Sequence, residues 1–259
     1  MTASRPSDHA GAGPASAPAP PPALAIVIGR AGSRGLPGKN ARPVAGRPMV
    51  AWTVDHARAC PELSAVVVST DGADIAHAAR AAGALLVDRP PGLAGDESPV
   101  VDAVRHAVAA VEAGAAAPDL PAGPLAPDAV VVILYANVPV RPPGLAGLAV
   151  RTLAETGADS VQSYAPVGKH HPAWMVRLEA GGRVAPLVDP APDRRQDLEP
   201  LHLPDGGVLA VRRGLLDRGP HPHAFLGADR RGIVTPAGAV VDVDDAADLA
   251  VAEAALRTG

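Results

Sequence analysis

The stretch Leu24–Asn40, LAIVIGRAGSRGLPGKN, is an apolar run that opens directly into a loop holding Gly29, Gly32, Gly35 and Gly38 among Arg30, Arg34 and Lys39. Glycine lets backbone N–H groups approach a polyphosphate closely and tolerates positive φ, while arginine and lysine supply countercharge. The segment is therefore expected to form a first strand, Leu24–Ile28, followed by a phosphate-holding loop. It matches neither common phosphate fingerprint: it is not GxGxxG opening directly into a helix, and Asn40 stands where GxxxxGK[ST] needs a hydroxyl after the lysine. A glycine-rich loop after a strand can equally be a plain surface turn. Its three cations favour an anion site.

Beyond the loop, short Val/Ile runs alternate with longer helical stretches, the pattern of a parallel sheet with crossover helices. Pro48 suits a helix start, and Met49, Val50, Trp52, Thr53, Val54 and Ala57 form a core-facing stripe toward Cys60. Strands expected over 65–69 and 84–87 bracket a helix over 73–82 closed by Gly83. Ser98 followed by Pro99 predicts the cap and first position of a helix through Val111, and the run 114–127 predicts an exposed loop. The most continuous apolar run, Ala129–Leu134, is expected at the sheet centre. At its carboxyl edge stands Tyr135-Ala136-Asn137-Val138-Pro139, where ligands of open α/β sheets gather. A helix over 144–155, a strand over 160–165, extended pieces over 174–178 and 207–211, and a last strand over 240–243 leading into a helix ending near Arg257 complete the pattern.

Of the 259 residues 47% are hydrophobic but only 2% aromatic, so the core must be aliphatic and the few aromatic side chains become site candidates by rarity. A net charge of -4 with no lysine or arginine stripe argues against a nucleic-acid partner. Cys60 is the only cysteine, which excludes an intrachain disulfide and a thiolate zinc site within one chain and fits a reducing cytoplasm. Residues 1–22 form a polar, Pro/Ala-rich stretch, expected to be a disordered tail, without the apolar core of a secretory signal. No later stretch offers about 18 uninterrupted apolar residues, so no membrane association is expected.

Six blocks in order give the chain a family likeness. They are Gly29–Asn40, VVVSTDGADIAHAA, DRPPGLAGDES around Arg89, NVPVRP around Arg141, KHHPAWM around His171, and RRQDLEPLHLPDGGVLAV with VDVDD from Val241. Together they resemble the acylneuraminate cytidylyltransferases, the CMP-sialic acid synthetase family, with the Kdo-activating synthetases as relatives. The resemblance implies a Rossmann-like, mostly parallel α/β nucleotidyltransferase fold of the glycosyltransferase-A type over residues 23–259. A small segment near 165–205 would serve dimerisation and substrate contact, making a homodimer. The implied reaction moves CMP from CTP to the anomeric hydroxyl of an acidic sugar and releases pyrophosphate.

By the same resemblance, Arg30, Arg34 and Lys39 would bind the triphosphate and act catalytically on the leaving pyrophosphate. Gly32, Ser33 and Asn40 would help hold the nucleotide, with Arg89 and Ser98 near the base. Asp242 and Asp244 would hold Mg2+ or Mn2+. Two carboxylates at i and i+2 of a strand do share one face. Arg195 with Gln196 would meet the sugar carboxylate, beside Tyr135, Asn137 and Asp205. Several positions depart from the family pattern: Arg34 replaces a lysine, Val100 a serine, Tyr135 a glutamine, Asp205 an asparagine and Leu209 a tyrosine. The phosphate side is largely kept and the sugar side altered, which implies the same reaction on an acidic sugar other than sialic acid.

Other residues read more simply. Asp245 directly precedes AADLAVAEAAL and suits a helix N-cap. His170 and His171 are adjacent in an extended stretch, point opposite ways and suit structure better than metal. Asp71, at a strand's carboxyl end, is better placed than most acids for the site, and the plainer reading is a cap for the following helix. Two rival functions stay open on the sequence: a nucleotidyltransferase acting on a sugar 1-phosphate with another nucleotide, and a non-catalytic nucleotide-sugar binder.

Overall fold

In the computed structural model residues 23–33, 35–115, 123–189, 192–219, 221 and 223–258 are described. The expected tail, residues 1–22, lies outside the described residues, as do Arg34 and residues 116–122 of the expected loop.

Strand β1 (Ala23–Ile28) is buried at every position. After the glycine-rich loop come a two-residue hairpin, β2 (Pro43–Val44) and β3 (Arg47–Pro48), and helix α1 (Met49–Arg58). Then follow β4 (Leu63–Thr70), α2 (Ala73–Ala81), β5 (Leu85–Asp88), α3 (Val100–Glu112), β6 (Val130–Tyr135), α4 (Leu145–Thr156) and β7 (Ser160–Pro166). A small hairpin of β8 (Val176–Leu178) and β9 (Val184–Pro186) precedes the long β10 (His202–Arg212), β11 (Arg230–Val234) and α5 (Ala246–Thr258).

Seven strands form the main sheet in the order β11-β7-β10-β6-β1-β4-β5. Only β10 runs antiparallel to its neighbours; the other pairings are parallel. The most continuous apolar run, β6, does occupy the centre, because a strand covered on both faces needs apolar residues at every position.

Alternation within the strands splits the core into two layers. Ala25, Val27, Val68, Val132 and Leu134 meet Val50 and Val54 of α1, Ile75 of α2 and Leu153 of α4 on one face. Leu24, Ile26, Val131 and Ile133 meet Val101, Val104, Val108 and Val111 of α3 on the other. These four buried valines of the five in α3 recur at helical spacing, each worth about 1.5–3 kcal/mol of burial. A third cluster packs Leu36 of the glycine-rich loop with Val44, Met49, Val241, Val243 and Ala252. This cluster ties the loop to the chain's final helix.

Three expectations change. The strand over 240–243 reduces to one bridge, Val140 to Val241. Val140 is flanked by Pro139, Pro142 and Pro143, which cannot continue a ladder. Pro99, not Ser98, is the N-cap of α3, and the Ser98 hydroxyl donates instead to the Gly92 carbonyl at 3.2 Å. The extended piece over 174–178 begins as a 3-10 turn at Pro172–Trp174, because the proline and the His171 side chain, which accepts from the Ala173 N–H, start a turn. By contrast Asp245 caps α5 as expected, its Oδ1 accepting from Ala247 N at 2.7 Å and Asp248 N at 3.0 Å. Among the described residues no helix is long and apolar enough to cross a membrane.

Candidate active site

At the carboxyl ends of β1, β5 and β6 lies a cleft of about 280 Å³. Its position follows from close backbone approach. A Cβ on Gly29 would stand 2.7 Å from the Ala136 Cβ, so only glycine lets the end of β1 pack against the turn after β6. A Cβ on Gly35 would stand 2.4 Å from the Asp244 carbonyl oxygen, so the loop is pressed equally hard onto the segment before α5. Further fixing comes from Asp71, whose Oδ1 accepts from Ala31 N at 2.8 Å. Asp71 thus caps the loop rather than α2, whose N-cap is Gly72.

Arg30, Gly32, Ser33 and Lys39 of the loop all line the cleft. Arg30 pairs with Asp96. Asn40 sits at the base, 4% exposed, with Nδ2 donating to the Arg30 carbonyl at 2.9 Å and Oδ1 without a partner among the described residues. A buried acceptor left open at the foot of a cleft is placed to take a ligand donor or a water. Arg89 and Ser98 line the far wall with Val100. Arg89 donates from Nη2 to the Ser69 carbonyl at 2.7 Å and from Nε to Ser69 Oγ at 3.2 Å. Burial pushes its pKa down and the nearby Asp71 carboxylate opposes that shift.

The carboxylate pair stands at the rim. Val241 and Val243 are buried while Asp242 and Asp244 face outward, so the expected shared side survives the loss of the strand. Lys39 Nζ donates to Asp244 Oδ1 at 2.6 Å and to the Val243 carbonyl at 3.0 Å. Asn137 Nδ2 donates to Asp242 Oδ1, and Val243 N donates to the Asn137 carbonyl at 2.9 Å. Asn137 therefore clips the acidic segment to the turn after β6. Although Asp242 is partly open to solvent, its carboxyl end lies near Gly206, where a Cβ would come 3.3 Å from Oδ2. Desolvation and the Asp244 charge raise its pKa to about 6, against the opposing pull of Lys39 and Arg141.

The sugar-side expectations divide. Tyr135 and Asn137 line the cleft, and Tyr135 also lines a second cavity of about 480 Å³ beside it. Burial raises the Tyr135 pKa, with Asp242 adding to the effect. Asp205 is not brought to either cavity. Its carboxylate is taken by Ser163 Oγ, by Thr235 Oγ1 at 2.6 Å and by Gly207 N at 2.9 Å, where β10 breaks register against β7. Arg195 and Gln196 are exposed on a 3-10 turn of the 167–201 excursion and line neither cavity. Arg34 lies outside the described residues. His171 is buried and structural, with Nδ1 accepting from Ala173 N at 3.1 Å and Nε2 against the Glu199 carbonyl at 3.0 Å.

Two features were not assigned from sequence. Arg141 is buried and donates to the carbonyls of Tyr135, Val138 and Gly207 and to Thr53 Oγ1, so one guanidinium holds together the turn after β6, strand β10 and α1. Its signal was an arginine among prolines just after the central strand. The second cavity draws on Tyr164, Phe225 and Leu226, of which the rarity of aromatic residues was the available signal.

A family model described as cytidylyltransferase matches residues 24–170, the span from β1 to the end of β7 and just beyond. The chain belongs to the cytidylyltransferase family. The N-acylneuraminate cytidylyltransferase of Oncorhynchus mykiss is 29% identical over 200 residues, 75% of this chain and 42% of that protein. The CMP-N,N'-diacetyllegionaminic acid synthase of Legionella pneumophila is 32% identical over 177 residues, 68% of this chain and 69% of that one. Several curated relatives are matched over only 42% of their own length, so this cytidylyltransferase chain spans well under half of them. Among solved structures, CMP:2-keto-3-deoxy-manno-octonic acid synthetase complexed with CTP shares the fold, with a TM-score of 0.63 at 19% identity, covering 92% of this chain and 99% of that one.

Proposed function

We propose that this chain transfers CMP from CTP to the anomeric hydroxyl of an acidic sugar, releasing pyrophosphate. The observation that carries the reading is the convergence of Arg30, Lys39, Asn40 and Arg89 on one cleft at the sheet's carboxyl edge, with Asp242 and Asp244 at its rim. Relatives named for CTP-dependent activation of acidic sugars support it.

In this reading Arg30 and Lys39 meet the β- and γ-phosphates, and Gly32 and Ser33 offer backbone N–H groups to them. Arg34, on the same loop, adds a third cation. Asn40 and Arg89 hold the nucleotide from below, and Ser98 borders the base. The acceptor hydroxyl attacks the α-phosphorus in line. The new P–O bond forms as the bond to the bridging oxygen breaks, and the electron pair departs with pyrophosphate. Cations fixed around that oxygen stabilise charge that grows only in the transition state.

The residues at the rim fit a divalent ion. The Asp244 charge disfavours that of Asp242, and the Lys39 ammonium already lies against Asp244, so the carboxylates form a place suited to a cation. Mg2+ or Mn2+ held there by Asp242, Asp244 and substrate phosphate oxygens would supply charge neutralisation at the reacting phosphate.

The sugar would occupy the second cavity, which adjoins the cleft at Tyr135, Pro99 and Val100. Arg195 and Gln196 would reach a sugar only from a neighbouring copy. The β8–β9 excursion exposes Trp174, Met175, Val176, Leu178 and Val184, an apolar surface suited to a homodimer. A cytoplasmic setting fits the single cysteine, Cys60.

The test is pyrophosphate release with CTP, UTP or GTP and Mg2+, with and without acidic sugars. Release that needs both CTP and the sugar is expected. Release that depends on a sugar 1-phosphate instead would replace this reading with that of a sugar-phosphate nucleotidyltransferase.

A further inference from the structure

The Gly206–Gly207 turn within β10 packs on one of the two carboxylates proposed to hold the metal. Gly206 takes a φ of 75°, and a Cβ there would stand 3.3 Å from Asp242 Oδ2. With Asn137 Nδ2 donating to Oδ1, the Asp242 carboxylate is held between an amide on one oxygen and the bare backbone of Gly206 against the other. A side chain at position 206 would press on that second oxygen, and the left-handed φ disfavours one in any case.

Asp205 fixes this turn. Its Oδ1 accepts from Gly207 N at 2.9 Å and from Ser163 Oγ on β7, and its Oδ2 accepts from Thr235 Oγ1 at 2.6 Å. Thr235 follows β11 and opens the stretch of chain that leads to Asp242 and Asp244. One carboxylate thus joins β7, the turn and the root of the acidic segment. From the opposite side Arg141 Nε donates to the Gly207 carbonyl at 2.7 Å. Burial pushes the Arg141 pKa down to about 9, and the carboxylates of Asp242 and Asp205 both oppose that shift, so the three charges lie around one turn. The packing leaves little slack. A Cβ on Gly207 would meet Ser163 Oγ at 2.8 Å, Leu145 Cδ2 at 2.9 Å and Val240 Cγ2 at 3.0 Å.

We propose that Asp205 is a positioning residue for the divalent ion: it locks the Gly206–Gly207 turn against Asp242 and so sets the direction in which Asp242 Oδ2 meets the cation. This rests on the metal site proposed above. A simple side-chain turn would need only the Gly207 N–H, whereas the bonds to Ser163 and Thr235 tie that turn to both flanking elements. Partners of this kind, one step removed from a metal, orient the groups that hold it.

The experiment titrates Mn2+ alone into the unaltered chain, Asp205→Ala, Asp205→Asn, Thr235→Val and Asp242→Asn, with bound ion read by electron paramagnetic resonance. Calorimetry measures CTP binding to the same proteins without metal. Asp205→Ala is expected to weaken Mn2+ binding about ten- to a hundredfold and CTP binding by less than about twofold. Asp205→Asn keeps an oxygen for Gly207 N and is expected to stay within about threefold of the unaltered chain. Thr235→Val, of the same shape and lacking the hydroxyl bonded to Oδ2, is expected to weaken Mn2+ binding about three- to tenfold, and carries the test if Asp205→Ala does not fold. Unchanged Mn2+ binding in Asp205→Ala, or in Thr235→Val where the former does not fold, would overturn the inference alone. So would an equal loss of CTP and Mn2+ binding, or Asp205→Asn as weak as Asp205→Ala. No Mn2+ binding by the unaltered chain, or binding that Asp242→Asn leaves intact, would overturn the metal site, and the inference with it.

Discussion

The two cavities that meet at Tyr135 are built by opposite means. The cleft assigned here to phosphate comes from two short stretches of chain, the glycine-rich loop Gly29 to Asn40, pressed against Ala136 and Asp244 and carrying its cations, and the stretch Arg89 to Ala103 facing it. The neighbouring cavity is assembled from α3, β7, β10, the 223–226 turn and β11, and is lined mainly by apolar and aromatic side chains. Phosphate is the same ligand in every nucleotide, so its recognition can be carried by a short loop of fixed geometry. A sugar is recognised by shape and a few hydrogen bonds, which separate strands supply and can vary independently.

If this division is right, variants on the phosphate side slow every acceptor alike and variants on the other side reorder acceptors. The largest effect is expected from Asp244→Asn, which should lower kcat by about a thousandfold with all sugars. Wild-type turnover at saturating Mg2+ would remove Asp244 from the proposed metal site.

Arg141→Met should cost about 3 kcal/mol, because the carbonyls of Tyr135, Val138 and Gly207 lose a buried donor together. Thermal or urea unfolding measures it. A change within 0.5 kcal/mol, on the order of an ordinary surface substitution, would contradict the bracing role.

Lys39→Ala should lower kcat about a hundredfold with a smaller change in KM for CTP. A raised KM with kcat intact would make Lys39 a docking group only.

The smallest effect concerns Asp242. Its pKa of about 6 lies above the ordinary carboxylate value, so the folded state favours the protonated acid. The sign follows: its ionisation weakens folding as pH rises through about 6, while metal holding needs the ionised form. Asp242→Asn should therefore raise the Tm slightly at neutral pH, by no more than about 1 kcal/mol of stability after solvent screening. Activity of the unaltered chain should fall below pH about 6. An acid limb that persists unshifted at saturating Mn2+ would assign it to another group.

The same division explains what the sequence revealed. The sheet was legible because buried parallel strands must be apolar throughout, as in β1 and β6, and α3 because its valines repeat at helical spacing. The loop was legible because glycine and cation spacing is a local property. Asp205 and Arg195 were not, since a carboxylate satisfied by Ser163 and Thr235 and a guanidinium carried on the 167–201 excursion depend on distant partners. Arg141 was missed for the same reason: its four acceptors are spread over α1, the turn after β6 and β10. The expected strand at 240–243 failed through its partner, since alternation alone does not supply a neighbour free of proline.

The most direct measurement is mass spectrometry of the products formed from CTP, Mg2+ and a panel of acidic sugars. The account predicts a CMP-sugar and pyrophosphate in equal amounts, formed from CTP and not from UTP or GTP. Nucleoside diphosphate sugars made only from sugar 1-phosphates, or tight CTP binding with no transfer to any acceptor, would contradict it.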